Sequence, residues 1–207
     1  MAIYMWREQS WWQPNANTLA YLPLATDITD QTGNYTLTSQ NITFSNNKAV
    51  FNNAGTSCIT FPATMTNNTF TLHQIIQITD FNGYQLAYRH SDNLGFDDSR
   101  CYLYGYSSIT LALGTYSTAT WISPSTWEHL YSFVVQNNQM KFYIDGVLKY
   151  TKSGTVWSYT DAQLSLWNRF YNMNEWLRWT MREVILESSY RTDAEVLALA
   201  QQFGFAS

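Results

Sequence analysis

Charge is scarce in this chain of 207 residues. Asp, Glu, Lys and Arg make up 13% of it, about half the usual share of a soluble domain. Asn, Thr, Ser, Gln and Tyr must therefore carry the surface. The net charge is −4, which argues against a nucleic-acid partner, because a phosphate backbone calls for a basic groove. No apolar run approaches the ~20 residues that cross a bilayer, so no membrane span is expected. Cysteine is nearly absent, with only Cys58 and Cys101. One disulfide would form if their strands met. Two free buried thiols are the favoured expectation, because MAIYMWREQSWW lacks the basic start, apolar stretch and cleavage site of a secretory signal. There is no Gly-rich phosphate loop, no βαβ alternation and no long-period repeat. His73, His90 and His129 are dispersed, without a metal-ligand spacing or a Ser or Cys nucleophile signature.

Apolar residues are abundant, at 45% of the chain. That argues against disorder, and the length suits one sandwich-sized domain. The organising stretch is Trp127 to Tyr150, WEHLYSFVVQNNQMKFYIDGVLKY. Leu130–Val135 reads as a strand, rich in β-branched and aromatic residues. Asn137-Asn138 turns it into Met140–Ile144. Asp145-Gly146 suits a type I′ hairpin, where both central residues need φ > 0. Val147–Tyr150 then leads back.

Upstream, YLPL, YTLT, ITFS, KAVFN and SCITFP read as short strands from Tyr21 to Pro62. Phe70–Thr79 is apolar on both faces, as a central strand requires. Tyr84–Arg89, Tyr102–Tyr106 and Ile109–Leu113 follow, and Tyr116–Ser125 is polar with Trp121 inside it. Gln163–Trp167 and Leu177–Glu187 are the last strands. A helix is expected from Thr192 to Phe203. Thr192 and Glu195 make a capping box, Val196, Leu199, Ala200 and Phe203 form one apolar stripe, and Gly204 stands where φ > 0 is needed. The expected fold class is all-β: a two-layer antiparallel jelly-roll sandwich with one short C-terminal helix.

Four stretches in order are similar to the concanavalin A-like, laminin-G-like jelly rolls. They are YLPLATDITDQTG at Tyr21–Gly33, FTLHQIIQ at Phe70–Gln77, the Trp127–Tyr150 meander with its FYIDGVL, and MREVILESSYRTDAE at Met181–Glu195. The resemblance covers about residues 19–203. It implies a jelly-roll domain at 19–207, preceded by an aromatic arm at 1–18. Some members of that family are glycoside hydrolases with two Glu around an Asp on one strand. Here the nearest match is Glu183 and Glu187, the central Asp is missing, and residues four apart on a strand lie ~13 Å apart. Retaining and inverting enzymes need ~5.5 Å and at most ~9.5 Å. Edge charges on the closing strand are the favoured reading, and no catalytic residue is assigned.

Many relatives hold calcium through the opening loop and an Asp near the closing strand. Asp27 and Asp30 stand in the loop, but Arg182 stands at the second position, and a guanidinium repels a cation. Asp92, Asn93, Asp97 and Asp98 make a second oxygen-rich loop, better read as turn formers. No metal ligand or cofactor is therefore assigned, and calcium is the alternative. His129 matches the family's strand-entry His, a structural role.

At two positions where the family has Gly, this chain has Trp167 and Trp179. Tyr171 and Trp176 lie between them. Sugars present C–H faces that stack on such rings, so Trp167, Tyr171, Trp176 and Trp179 are the candidate ligand-binding residues; core packing or partner contact is the competing reading. In the arm, Trp6, Arg7, Trp11 and Trp12 are the candidate partner-binding residues, with packing on the chain's own sheet as the alternative.

Three functions compete. One is a lectin-like virion surface or fibre protein, non-enzymatic, attached through its arm, oligomeric and presenting a glycan- or host-surface-binding jelly roll. Placement on a virion or outside the cell, reached without a signal peptide, belongs to that expectation. The second is an autonomous carbohydrate-binding module, and the third a glycoside hydrolase.

Overall fold

Alternating apolar and polar residues with short polar turns build this chain strand by strand, and its computed structural model describes residues 12–51, 57–64, 69–78, 83–90, 100–105, 109–113, 120–122, 126–136, 139–153, 163–168 and 179–206. The first strands in chain order are β1 (Thr18–Leu22), β2 (Thr38–Gln40), β3 (Ile42–Ser45), β4 (Lys48–Phe51) and β5 (Ser57–Thr64). Then come β6 (Thr69–Ile78), β7 (Gly83–His90), β8 (Arg100–Gly105), β9 (Ile109–Leu113) and β10 (Thr120–Ile122). The last are β11 (Glu128–Gln136), β12 (Gln139–Ile144), β13 (Val147–Ser153), β14 (Gln163–Asn168), β15 (Trp179–Glu187) and the helix α1 (Asp193–Gln202). Every pairing is antiparallel. β10 lies in the stretch whose sequence shows only polarity, and is an addition to the expected strands.

Two sheets result. The eight-stranded sheet runs β13-β12-β11-β6-β15-β4-β3, with β1 also on β15; the seven-stranded sheet runs β10-β9-β8-β7-β14-β5-β2. β1 and β4 share one side of β15 end to end. β4 pairs with its first three residues, Trp179 to Met181, and β1 with Val184 to Glu187. Between the two, at Arg182, the register of β15 on β6 shifts, which marks a bulge.

Strand alternation sorts the side chains of the eight-stranded sheet. Leu72, Ile76, Phe133, Phe142, Val184 and Leu186 face the other sheet, where they meet Ile59, Phe61 and Leu166. Ile75, Leu130 and Ile185 face outward and are covered by Leu199, Ala200 and Phe203 at the end of α1. Val196 packs on Val134 and Tyr143. The helix is thus a third layer over one sheet. Its capping box is present in full: the Thr192 hydroxyl accepts from Glu195 N, and Glu195 Oε2 accepts from Thr192 N at 2.7 Å. Gly204 has φ +73° just past the helix, the left-handed conformation that glycine adopts without a Cβ penalty.

The Asp145-Gly146 turn has φ of +53° and +79°, the two positive values that a type I′ hairpin needs. Asp145 also ties the hairpin down. Its carboxylate accepts from Leu130 N at 2.9 Å and meets His129 Nδ1 at 2.6 Å. His129 is therefore a structural residue at the start of β11. Among the described residues, no helix is long and apolar enough to cross a membrane.

Candidate functional site

The carboxylates on β15 are not edge charges. β15 lies inside its sheet, between β6 on one side and β1 with β4 on the other. Glu183 and Glu187 are buried at 4% and 0% exposure. Burial on this scale requires partners, and each carboxylate has its own. Arg191 grips Glu187 with two charge-assisted hydrogen bonds, Nε at 2.6 Å and Nη2 at 2.5 Å. Burial would raise the Glu187 pKa, but the Arg191 guanidinium and His73 bring it down to about 2. His73 donates or accepts at Ser132 Oγ, 2.8 Å from Nδ1. Its Nε2 stands 3.6 Å from Glu187, too far for a hydrogen bond. Burial holds the His73 pKa below its ordinary value, against the pull of the Glu187 carboxylate beside it. Glu183 accepts from the Tyr21 hydroxyl at 3.2 Å and lies 3.4 Å from Arg182 Nε. Both carboxylates thus serve to fasten β1, α1 and the bulge to the sheet.

The opening loop is organised by Asp30, which is itself buried at 6%. Its two oxygens accept from the backbone N–H groups of Tyr21, Thr32, Asn34 and Tyr35, and from the Thr32 hydroxyl at 2.7 Å. N–H donors occupy the lone pairs a cation would need. Asp27 caps Thr29 N at 2.8 Å in an exposed turn. Arg182 pairs with Glu128 at 2.9 Å and so has a structural use. Among the described residues, no group of three or more His, Cys, Asp or Glu could hold a metal ion. Asp92, Asn93, Asp97 and Asp98 lie outside the described residues. Cys58 carries a free thiol.

The candidate tryptophans do not form one site. Trp179 belongs to the eight-stranded sheet, is 1% exposed, and stacks on Phe51 with centroids 3.8 Å apart and planes at 12°. The expectation that it binds ligand is corrected: its position on β15 turns it into the inter-sheet core. Trp12, expected to anchor a partner, is corrected likewise. It is 5% exposed and meets Tyr21 edge-on at 4.9 Å, in the layer between the sheet and α1. The chain's own apolar surface covers it. Trp167 belongs to the seven-stranded sheet, on β14. Trp6, Arg7, Trp11, Tyr171 and Trp176 lie outside the described residues.

The register of the seven-stranded sheet gives Trp167 its setting. Gln40 pairs with Cys58, Cys58 with Trp167, and Trp167 with Leu86. In an antiparallel sheet, directly opposed residues share a face. Gln40 is exposed and Cys58 half-buried, while the alternate residues Ile59 and Leu166 are fully buried. The described side chains of this row, Gln40 and Cys58, therefore belong to the face away from the core, and Trp167 holds the next register position in the row. A second row crosses β7, β8, β9 and β10: Tyr84, Tyr104, Thr110 and Trp121. Neighbouring members stand one strand spacing apart, ~4.8 Å. Three aromatic residues in four adjacent strands make a ladder that no single stretch of sequence displays. The legible signals were the Tyr102–Tyr104 alternation and Trp121; the pairing that aligns them with Tyr84 is tertiary.

No protein-family model matches the chain, and no curated protein matches it in sequence. Solved structures do match in shape. The Trypanosoma rangeli sialidase superposes with a TM-score of 0.76 at 15% identity, over 94% of this chain and 34% of the sialidase. The chain thus spans about a third of that enzyme's length. Domain 4 of AbnA, a GH43 extracellular arabinanase from Geobacillus stearothermophilus solved with arabinotriose, matches with a TM-score of 0.69 at 18% identity, over 89% of this chain and 98% of that domain. The binding domain of botulinum neurotoxin serotype D matches with a TM-score of 0.68 at 12% identity, over 89% of this chain and 51% of that one. At these identities the likeness is one of fold, and the chain is an antiparallel jelly-roll-like β-sandwich with a single described helix laid on one sheet.

Proposed function

We propose that this chain is a non-enzymatic glycan-binding module whose ligand lies across the outward face of the seven-stranded sheet. The observation that carries the reading is the cross-strand row Tyr84, Tyr104, Thr110, Trp121, beside the Trp167 row. Aromatic residues at register positions one strand apart suit the C–H faces of successive sugars, and amide and hydroxyl residues such as Gln40 and Thr110 suit their hydroxyls. The arabinotriose on the similar arabinanase domain supports a saccharide ligand. So does the similar botulinum neurotoxin type C structure, described as depending for cell entry on two ganglioside molecules. Glu183 and Glu187 support the absence of hydrolytic chemistry, since each is buried with a partner of its own.

A role on a virion or in another extracellular assembly, with oligomer partners and a host-surface ligand, is a finer form of this proposal. It rests on the sequence of the aromatic arm, in which Trp12 now has an internal place.

The test is a glycan array probed with the intact chain, followed by titration of the best saccharide. Trp121→Ala and Trp167→Ala should each weaken binding by about tenfold or more, equal to ~1.4 kcal/mol, with little change in melting temperature. Retention of no glycan, or release of reducing ends from one, would overturn the proposal.

A further inference from the structure

A third row crosses the same face: Thr38, Thr60, Ser165, Arg89 and Arg100, on β2, β5, β14, β7 and β8. Thr38 is exposed and Thr60 half-buried, so the described side chains of this row too lie away from the core. It places two arginines directly opposite each other on neighbouring strands. Like charges in that relation destabilise a sheet. The chain has only 11 Lys and Arg against 15 Asp and Glu, so the adjacency is not a by-product of a basic composition. None of the seven strands of this sheet contains an Asp or Glu. The sheet on which the aromatic rows lie is thus cationic in a chain that is acidic as a whole.

From this juxtaposition of Arg89 with Arg100 beside the aromatic rows, we infer that the glycan taken by this face is an anionic one, bearing carboxylate or sulfate. The inference rests on the glycan-binding reading and narrows its ligand class. Guanidinium groups recognise carboxylate and sulfate oxygens through paired N–H donors. Two on adjacent strands supply a site for one anionic group. By two-residue alternation, Arg100, Tyr102 and Tyr104 share one face of β8. A sugar ring on the aromatic row therefore has the arginine pair two alternate positions away along the same strand. An acidic ligand also removes the repulsion between the arginines, so binding and sheet stability reinforce each other.

The experiment compares matched probes on the intact chain: sialyllactose against lactose, polygalacturonate against a neutral galactan, and sulfated against desulfated heparin oligosaccharide. At least one charged probe should bind about tenfold more tightly than its neutral partner, and added salt should erase the difference. Whether sialic acid, uronate or sulfate is the source follows from which pair shows it. Arg89→Gln and Arg100→Gln should each abolish that preference, while neutral-glycan binding holds and the melting temperature holds or rises. Arg100→Lys, which keeps the charge, should retain part of it. Residues 91–99 between the two arginines include Asp92, Asp97 and Asp98, which offers a competing use. If the Gln variants melt lower while the preference stands unchanged, the arginines serve their own hairpin and the inference fails. Equal binding of charged and neutral probes also overturns it, yet leaves the glycan-binding reading intact. Binding of none of them removes both.

Discussion

Gly146 and Ala200 stand so close that a Cβ on the glycine would lie 2.9 Å from the alanine methyl. The hairpin between β12 and β13 is pressed against α1 at this point, with Leu197 Cα only 3.0 Å from the same position. Gly146 also holds φ +79°, a conformation that side chains resist. Two independent requirements thus meet in one residue of the DG turn. Gly146→Ala should cost about 1–3 kcal/mol, read as a lowered urea midpoint. An unchanged midpoint would mean that hairpin and helix can part without loss.

The helix start allows a finer measurement. Thr192→Ala removes the acceptor for Glu195 N and should cost ~1 kcal/mol. The Glu195 carboxyl sits below its ordinary pKa, chiefly through the Thr192 backbone hydrogen bond. A midpoint equal to that of the parent chain would show that the cap contributes nothing.

Acid should weaken the junction beneath the helix in two stages. The His73 pKa is depressed by burial, so the unfolded chain binds this proton more readily than the folded one. Its contribution is complete above the ordinary value of 6.5 and declines as pH falls below it. Glu187 is depressed from 4.5 to about 2. Its contribution is present above 4.5 and is lost as pH falls towards 2. Stability measured from pH 7 to pH 2 should therefore fall in both windows. His73→Gln should flatten the upper one, and a parent curve with no slope between pH 6.5 and 5 would contradict this account. Arg191→Met at neutral pH leaves Glu187 buried without its ion partner, and should cost about 3–5 kcal/mol.

Two tryptophans separate packing from binding. Trp179→Ala and Trp12→Ala should each lose about 3–5 kcal/mol of stability, because both rings are enclosed. Neither change should alter the ligand specificity of the folded fraction, whereas Trp167→Ala should do so. Full stability after Trp12→Ala would restore the partner-anchor reading of that residue.

Much of the fold was legible in the sequence because it is local. The Asp145-Gly146 turn, the capping box and Gly204 are short-range requirements of φ and hydrogen bonding, written in adjacent residues. Strand alternation placed β3 and β9 at their observed bounds, and put Phe70–Thr79 in the sheet interior from its two apolar faces. The candidate site was less legible because it is defined across strands. Trp167 and Trp179 look equivalent as glycine replacements, yet one register sends Trp179 into the core against Phe51 and another places Trp167 in a row with exposed Gln40.

The sequence by itself determined an all-β chain with one capped helix, because periodicity, turn chemistry and helix capping act within a few residues. Only the tertiary structure decided that Glu183 and Glu187 are buried, that Trp12 lies under the helix, and that Tyr84, Tyr104 and Trp121 share one row while Arg89 faces Arg100. The physical reason is strand order. Pairing across a sheet joins residues far apart in the chain, and a shift of one residue would exchange every inward side chain for an outward one.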